Sequence, residues 1–193
     1  THQCNEDIAL MRTIPNMIVI NPADDVEARA AVRAAYEHVG PVYLRFGRLA
    51  APVINDNPEY KFELGKGVTL REGKDITIVA TGLEVGFALE AAKMLEKDGI
   101  DARIINIHTI KPIDEDILVK AAKETKKLFT VEEHSIIGGL GSAVCDVLCE
   151  KYPAPVYKIG IRDKFGESGP AVELLHKYQL DAEGIYQQIK ENL

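Results

Sequence analysis

The strongest constraint on the fold of this chain is an alternation of short apolar runs with segments of helical period. Ile76 to Ala80 reads as a buried strand, and Glu84 to Asp98 follows with Val85, Ala88, Leu89, Ala92 and Leu95 on one helical face. Gly99 ends that helix as a C-cap. Ile104 to Ile107 is the next strand, and Asp114 caps a helix that turns Ile117, Leu118, Ala121 and Ala122 inward. Leu128 to Glu132 gives a third strand, the turn Gly138-Gly139-Leu140-Gly141 opens a helix through Cys149, and Val156 to Ile161 gives a fourth strand before two short helices. The alternation predicts an α/β fold, a mostly parallel sheet with helices on both faces.

The same grammar opens the chain in shorter form. Asp7 to Arg12 has helical character until Thr13-Ile14-Pro15-Asn16 breaks it, and Met17 to Ile20 reads as a buried strand. Asp24 is an N-cap for a helix carrying Val26, Ala30, Val32, Ala34 and Tyr36, which ends before Gly40-Pro41; Val42 to Phe46 is the following strand. This is a βαβ unit, with two parallel strands joined by a right-handed crossover. From Leu49 to Gly73 periodicity disappears and Pro52, Asn55, Asp56, Asn57 and Pro58 crowd together. The expected division is therefore residues 1–50, a linker over 51–73, and a larger unit over 74–193.

Several function classes are excluded at this level. The apolar runs fall far short of the roughly 20 residues that cross a bilayer, so no membrane segment is expected. The net charge is -7 and the pI near 5.3, with Lys and Arg scattered among acids, which argues against a nucleic-acid partner. Cys4, Cys145 and Cys149 cannot all pair, which suits a reducing, cytoplasmic compartment. Cys145 and Cys149 read as buried or half-buried structural thiols, since no further ligands complete a metal site. The first residue is Thr1, so the chain is expected to start inside a larger gene product.

Four groups of residues carry possible chemistry. Gly139-x-Gly141 at a strand-to-helix turn begins a dinucleotide fingerprint, but Val144 stands where a small residue is needed and Val131-Glu132-Glu133-His134 brings negative charge beside any pyrophosphate. A tight packing turn fits that segment better. Glu132, Glu133 and His134 suggest acid–base chemistry or a metal site or, more simply, a polar strand-end cap or subunit contact. His2 stands at an element boundary, where it could face a cleft or be solvated. In Leu44-Arg45-Phe46-Gly47-Arg48 two arginines follow a strand, at the sheet edge where ligands bind. They read as a phosphate site or as two surface ion pairs, and spacing leaves both open.

Thr1-His2-Gln3, Glu6 to Arg12, Ile14-Pro15-Asn16-Met17 and Pro22-Ala23-Asp24 together resemble the late pyrimidine-binding domain of transketolases. Ala80-Thr81-Gly82, Lys111-Pro112-Ile113-Asp114, Val131 to His134, Gly138 to Ala143 and Phe165-Gly166-Glu167-Ser168-Gly169 look like the C-terminal domain of the same family. The wording of the Pro112, His134 and Phe165 segments is most similar to small split transketolases, in which this half is a separate polypeptide. The resemblance implies transfer of a two-carbon ketol unit between sugar phosphates, with thiamine diphosphate and Mg2+ in the complete enzyme but not bound by this chain alone. It implies His2 near the reactive thiazolium carbon and Arg48 or Arg45 on the substrate phosphate. It also implies an N-terminal partner half, a dimeric assembly, and no activity alone. Deoxyxylulose-phosphate synthase, the beta subunits of 2-oxoacid dehydrogenases, and a non-catalytic dimerisation or scaffold module are the alternatives it leaves.

Overall fold

The computed structural model describes residues 4–125 and 127–193. After a short helix α1 (Asp7–Thr13) come β1 (Ile18–Ile20), α2 (Asp25–Glu37) and β2 (Val42–Leu44). β1 and β2 are parallel, Ile18 opposite Val42 and Ile20 opposite Leu44, as the βαβ reading expects. The expected strand over Val42 to Phe46 stops two residues early, and Arg45 to Arg48 continue beyond it without regular structure.

The larger sheet has five strands: β3 (Val68–Arg71), β4 (Ile76–Ala80), β5 (Ala102–Asn106), β7 (Leu128–Ser135) and β8 (Val156–Ile161), in the order β3-β5-β4-β7-β8. Four of these are parallel and β3 runs antiparallel on the edge. Helix α3 (Glu84–Lys97) covers one face with α6 (Ala171–Lys177) and α7 (Ala182–Glu191), through Val85, Leu95, Leu175, Ile185 and Ile189. Helices α4 (Glu115–Thr125) and α5 (Leu140–Lys151) cover the other face, through Leu118, Ala122, Leu140 and Val144. Both layers of the mostly parallel sheet are thus present. β6 (Thr109–Lys111), which periodicity does not reveal, leaves this sheet and pairs antiparallel with β1.

Two buried acids tie α2 to the segment after β2. Asp24 caps α2 by accepting from the Glu27 N–H at 2.9 Å, and its other oxygen accepts from the N–H groups of Ile54 and Asn55, both at 2.7 Å. Burial opposes its ionisation, but these N–H groups outweigh that and hold its pKa below the ordinary value. Glu27 has no solvent exposure, and its carboxylate accepts from Ala23 N–H, Tyr60 O–H and Asn106 Nδ2. The aperiodic stretch is therefore pinned to α2 and to β5, although it carries no regular element before β3.

The first turn of α5 is organised by another buried acid. Glu132 accepts from the N–H groups of Leu140 (2.6 Å) and Gly141 (2.9 Å), filling the anion position that a helix N-terminus offers. Residue 139 must be glycine, because a Cβ there would lie 2.0 Å from the Glu132 carboxylate and 2.6 Å from His134 Nδ1. Complete burial pushes the Glu132 pKa up to about 7 in spite of those two N–H groups.

Asp24→Ala removes a helix cap and leaves two N–H groups unpaired, so it should cost about 2–4 kcal/mol in denaturant unfolding. Limited proteolysis of that variant should cut first between residues 51 and 60, and an unchanged cleavage pattern would show that the pin is unimportant. For Glu132 the folded state binds the proton more tightly than the unfolded chain, so its contribution to stability falls as pH rises from about 4.5 to about 7 and is flat beyond. Glu132→Gln lacks this component. The stability lead of the wild type over that variant should be larger at pH 5 than at pH 8 in urea unfolding, and an equal lead would contradict the raised pKa.

Candidate functional site

The two candidate arginines end in different environments. Arg45 is mostly enclosed, with 14% of its side chain exposed. Its Nε donates to Asp7 Oδ2 at 2.9 Å, and its Nη2 donates to the carbonyls of Glu133 (2.9 Å) and Cys4 (3.3 Å). Tyr43 O–H donates to the same Asp7 oxygen at 2.8 Å. Burial first, then that bond to Asp7, pushes the Tyr43 pKa up to about 12. Arg48 is exposed and has no hydrogen bond or ion pair among the described residues. Gly47 beside it has open space where a Cβ would stand. His2 lies outside the described residues.

The segment after His2 is fixed by the end of β7. Ser135 N–H donates to Asn5 O at 2.7 Å. His134 has no solvent exposure; its Nδ1 lies 2.7 Å from Ser135 O and must donate there, so its Nε2 is the acceptor for Ala9 N–H at 3.4 Å. The ring is thereby held neutral, and burial keeps its pKa below the ordinary value. Arg12 Nη1 donates to the carbonyls of Gly138 and Gly139, and its Nη2 pairs with Asp146 at 2.9 Å. Glu132 and His134 are two residues apart and share one side of β7, so Val131 to His134 forms an internal brace for α1 and the glycine turn. The packing-turn reading of Gly138 to Gly141 and the strand-end reading of Glu132 to His134 both match this geometry.

Sequence reasoning missed Asp7, Tyr43 and Ser135 as members of this cluster. Asp7 looks like an ordinary first-turn acid, and only the fold brings it to Arg45. Glu84, at the start of α3, has no solvent exposure and no hydrogen-bond partner for either carboxylate oxygen among the described residues. Burial first, then the charge of Glu133, pushes its pKa well above the ordinary value. Cys145 is half-buried as expected, whereas Cys149 is exposed, because α5 turns that position away from the sheet.

Among the described residues no group of three or more His, Cys, Asp or Glu could hold a metal ion, and the N-terminus of α5 is filled by Glu132. No helix of the described residues is long and apolar enough to cross a membrane.

Comparison with known proteins gives the family. Residues 65–185 match the family model for the transketolase C-terminal domain, and residues 1–53 match that for the transketolase pyrimidine-binding domain. A Methanocaldococcus jannaschii protein described as a transketolase C-terminal section is 48% identical over 195 residues, covering 100% of this chain and 61% of that protein. A 6-deoxy-6-sulfo-D-fructose transketolase subunit of a Clostridium species is 44% identical, covering 99% of this chain and 59% of that subunit. A solved split-gene transketolase, an inactive beta4 tetramer, superposes with a TM-score of 0.93 at 52% identity, covering 98% of this chain and 62% of that one. The chain thus spans about three-fifths of the length of these relatives. With both domain models matched in order and a split-gene relative of the same fold, the chain belongs to the transketolase family, as a C-terminal section preceded by the end of a pyrimidine-binding domain.

Proposed function

We propose that this chain is the C-terminal part of a transketolase that moves a two-carbon ketol unit between sugar phosphates once it is joined to an N-terminal half. The units over 1–50 and 74–193, joined by a stretch over 51–73 whose last part, β3 (Val68–Arg71), belongs to the larger sheet and not to a linker as the sequence suggests, act together in that assembly. The observation that carries the reading at the site is the contrast between the arginines: Arg45 is consumed by protein partners, while Arg48 stands exposed past the end of β2. Arg48 is then the group that holds the anionic end of the sugar through charge-assisted hydrogen bonds. The Clostridium relative is named for a sulfonated sugar and a Phocaeicola vulgatus relative, 43% identical, for apulose-4-phosphate, both of which carry an anionic terminus.

His2 serves near the reacting carbon, where an imidazole can orient and hydrogen-bond sugar hydroxyls. Thiamine diphosphate with Mg2+ supplies the electron sink for the carbanion, and the N-terminal half holds both. This chain contributes orientation and charge placement. It is accordingly inactive alone and works as an oligomer, at least a dimer of the completed enzyme.

Reconstitution with the N-terminal half tests the reading. Arg48→Ala should lose about ten- to a hundredfold in apparent affinity for a phosphorylated donor, and little for hydroxypyruvate, which lacks the anion. Equal losses on both donors would remove the phosphate role. His2→Ala should slow ketol transfer by about ten- to a thousandfold, and an unchanged rate would remove His2 from the site.

A further inference from the structure

Arg45 joins three segments that are far apart in sequence, Cys4 to Asp7, the end of β1 and the end of β7. Its own N–H donates to Ile20 O at 2.9 Å, extending the β1–β2 ladder by one residue. Its side chain reaches Asp7 in α1, the Cys4 carbonyl, and the Glu133 carbonyl in β7. Asp7 is buried as well, with 8% of its side chain exposed, and is also held by Tyr43. A second tie, from Ser135 N–H to Asn5 O, holds the same segment to the same strand. Cys4 comes two residues after His2, and Arg45 three residues before Arg48.

The geometry points to Arg45 as a positioning residue, which sets the spacing between the segment at Cys4 and the segment that carries Arg48, with β7 as the common support. This rests on the two-carbon-transfer reading above. The Cys4 carbonyl and the strand end that leads to Arg48 are thereby held by one guanidinium. The planar guanidinium is suited to this task because its donors diverge at fixed angles toward three acceptors, whereas a lysine would keep the charge on Asp7 and lose the fork. A small misplacement at a reacting centre slows the chemical step without weakening the grip on any one part of the substrate.

The test uses the reconstituted enzyme and two readouts. With Arg45→Lys, kcat should fall about ten- to a hundredfold on phosphorylated donor and on hydroxypyruvate alike, while KM stays within about threefold. Asp7→Asn should behave similarly, and the double variant should be little worse than the poorer single one, since both act through one contact. In the same samples, hydrogen exchange of the Ser135 and Ala9 amides should speed up in Arg45→Lys. A loss confined to phosphorylated donor would make Arg45 a substrate ligand and overturn the positioning role. Unchanged exchange would show that there is no latch, and faster exchange with normal kcat would reduce Arg45 to a brace that the reaction does not sense. If the wild-type assembly transfers no ketol group at all, the functional reading falls, and the exchange data alone decide whether Arg45 latches the segment.

Discussion

Glu132 takes the place that an anionic ligand would hold in many α/β proteins. The order β3-β5-β4-β7-β8 reverses direction between β4 and β7, and open α/β sheets bind ligands outside the carboxyl ends of the strands at such a point. Here the Glu132 carboxylate saturates the N–H groups of Leu140 and Gly141 at the end of β7. At the end of β4, Gly82 has a positive φ of 60 and a Cβ there would run into the Asn21 side chain, while its N–H donates to Asn21 O. The crevice is thus filled from within, by the protein's own acid on one side and by its own first segment on the other. Once Gly138 and Gly139 are drawn into that turn, their carbonyls are presented to Arg12, and α1 gains its seat on the larger sheet.

The same edge explains where the buried charge goes. Glu27, Glu84, Glu132 and Glu133 all have pKa values raised by burial, an arrangement that costs stability unless hydrogen bonds offset it. Glu27 is offset by Tyr60, Ala23 and Asn106, and Glu132 by two helix N–H groups. Tyr60 and Asn106 come to Glu27 from segments distant in sequence, and Leu140 and Gly141 bring the start of α5 back to β7, so each acid serves as a joint. Glu84 has no such joint among the described residues, and burial, with the charge of Glu133 second, pushes its pKa well above the ordinary value.

Local signals in the sequence were enough for most of the sheet. Ile76–Ala80 is a fully buried strand, α3 shows one clean face, and Asp24 and Asp114 cap the helices they precede. β3 and β6 were not legible because each is short and defined by its partner: β6 pairs with a strand roughly ninety residues away, and Pro112 stops it. β7 runs three residues beyond the expected Glu132, because Glu132 and His134 are buried polar groups that look like a loop until their partners are known. The arginines are the clearest case at the site. Arg45 and Arg48 have identical side chains three positions apart, and what separates them is Asp7, 38 residues from Arg45, which no spacing argument can bring near.

The contacts of β7 show how the larger unit supports the segment that precedes it. The backbone of Glu133 and Ser135 and the ring of His134 hold Cys4, Asn5 and Ala9 either directly or through Arg45. β6, from within the larger unit, supplies the antiparallel neighbour of β1, and Lys111 Nζ donates to the carbonyls of Arg12 and Ile14 at the end of α1. β1 alone is three residues long, too short to hold a register by its own side chains, so its position is set by the strand on either side. The segment carrying the candidate site residues therefore takes its geometry from the larger sheet. A change deep in the carboxyl edge of that sheet would reach the site by altering where the backbone runs, without touching a substrate.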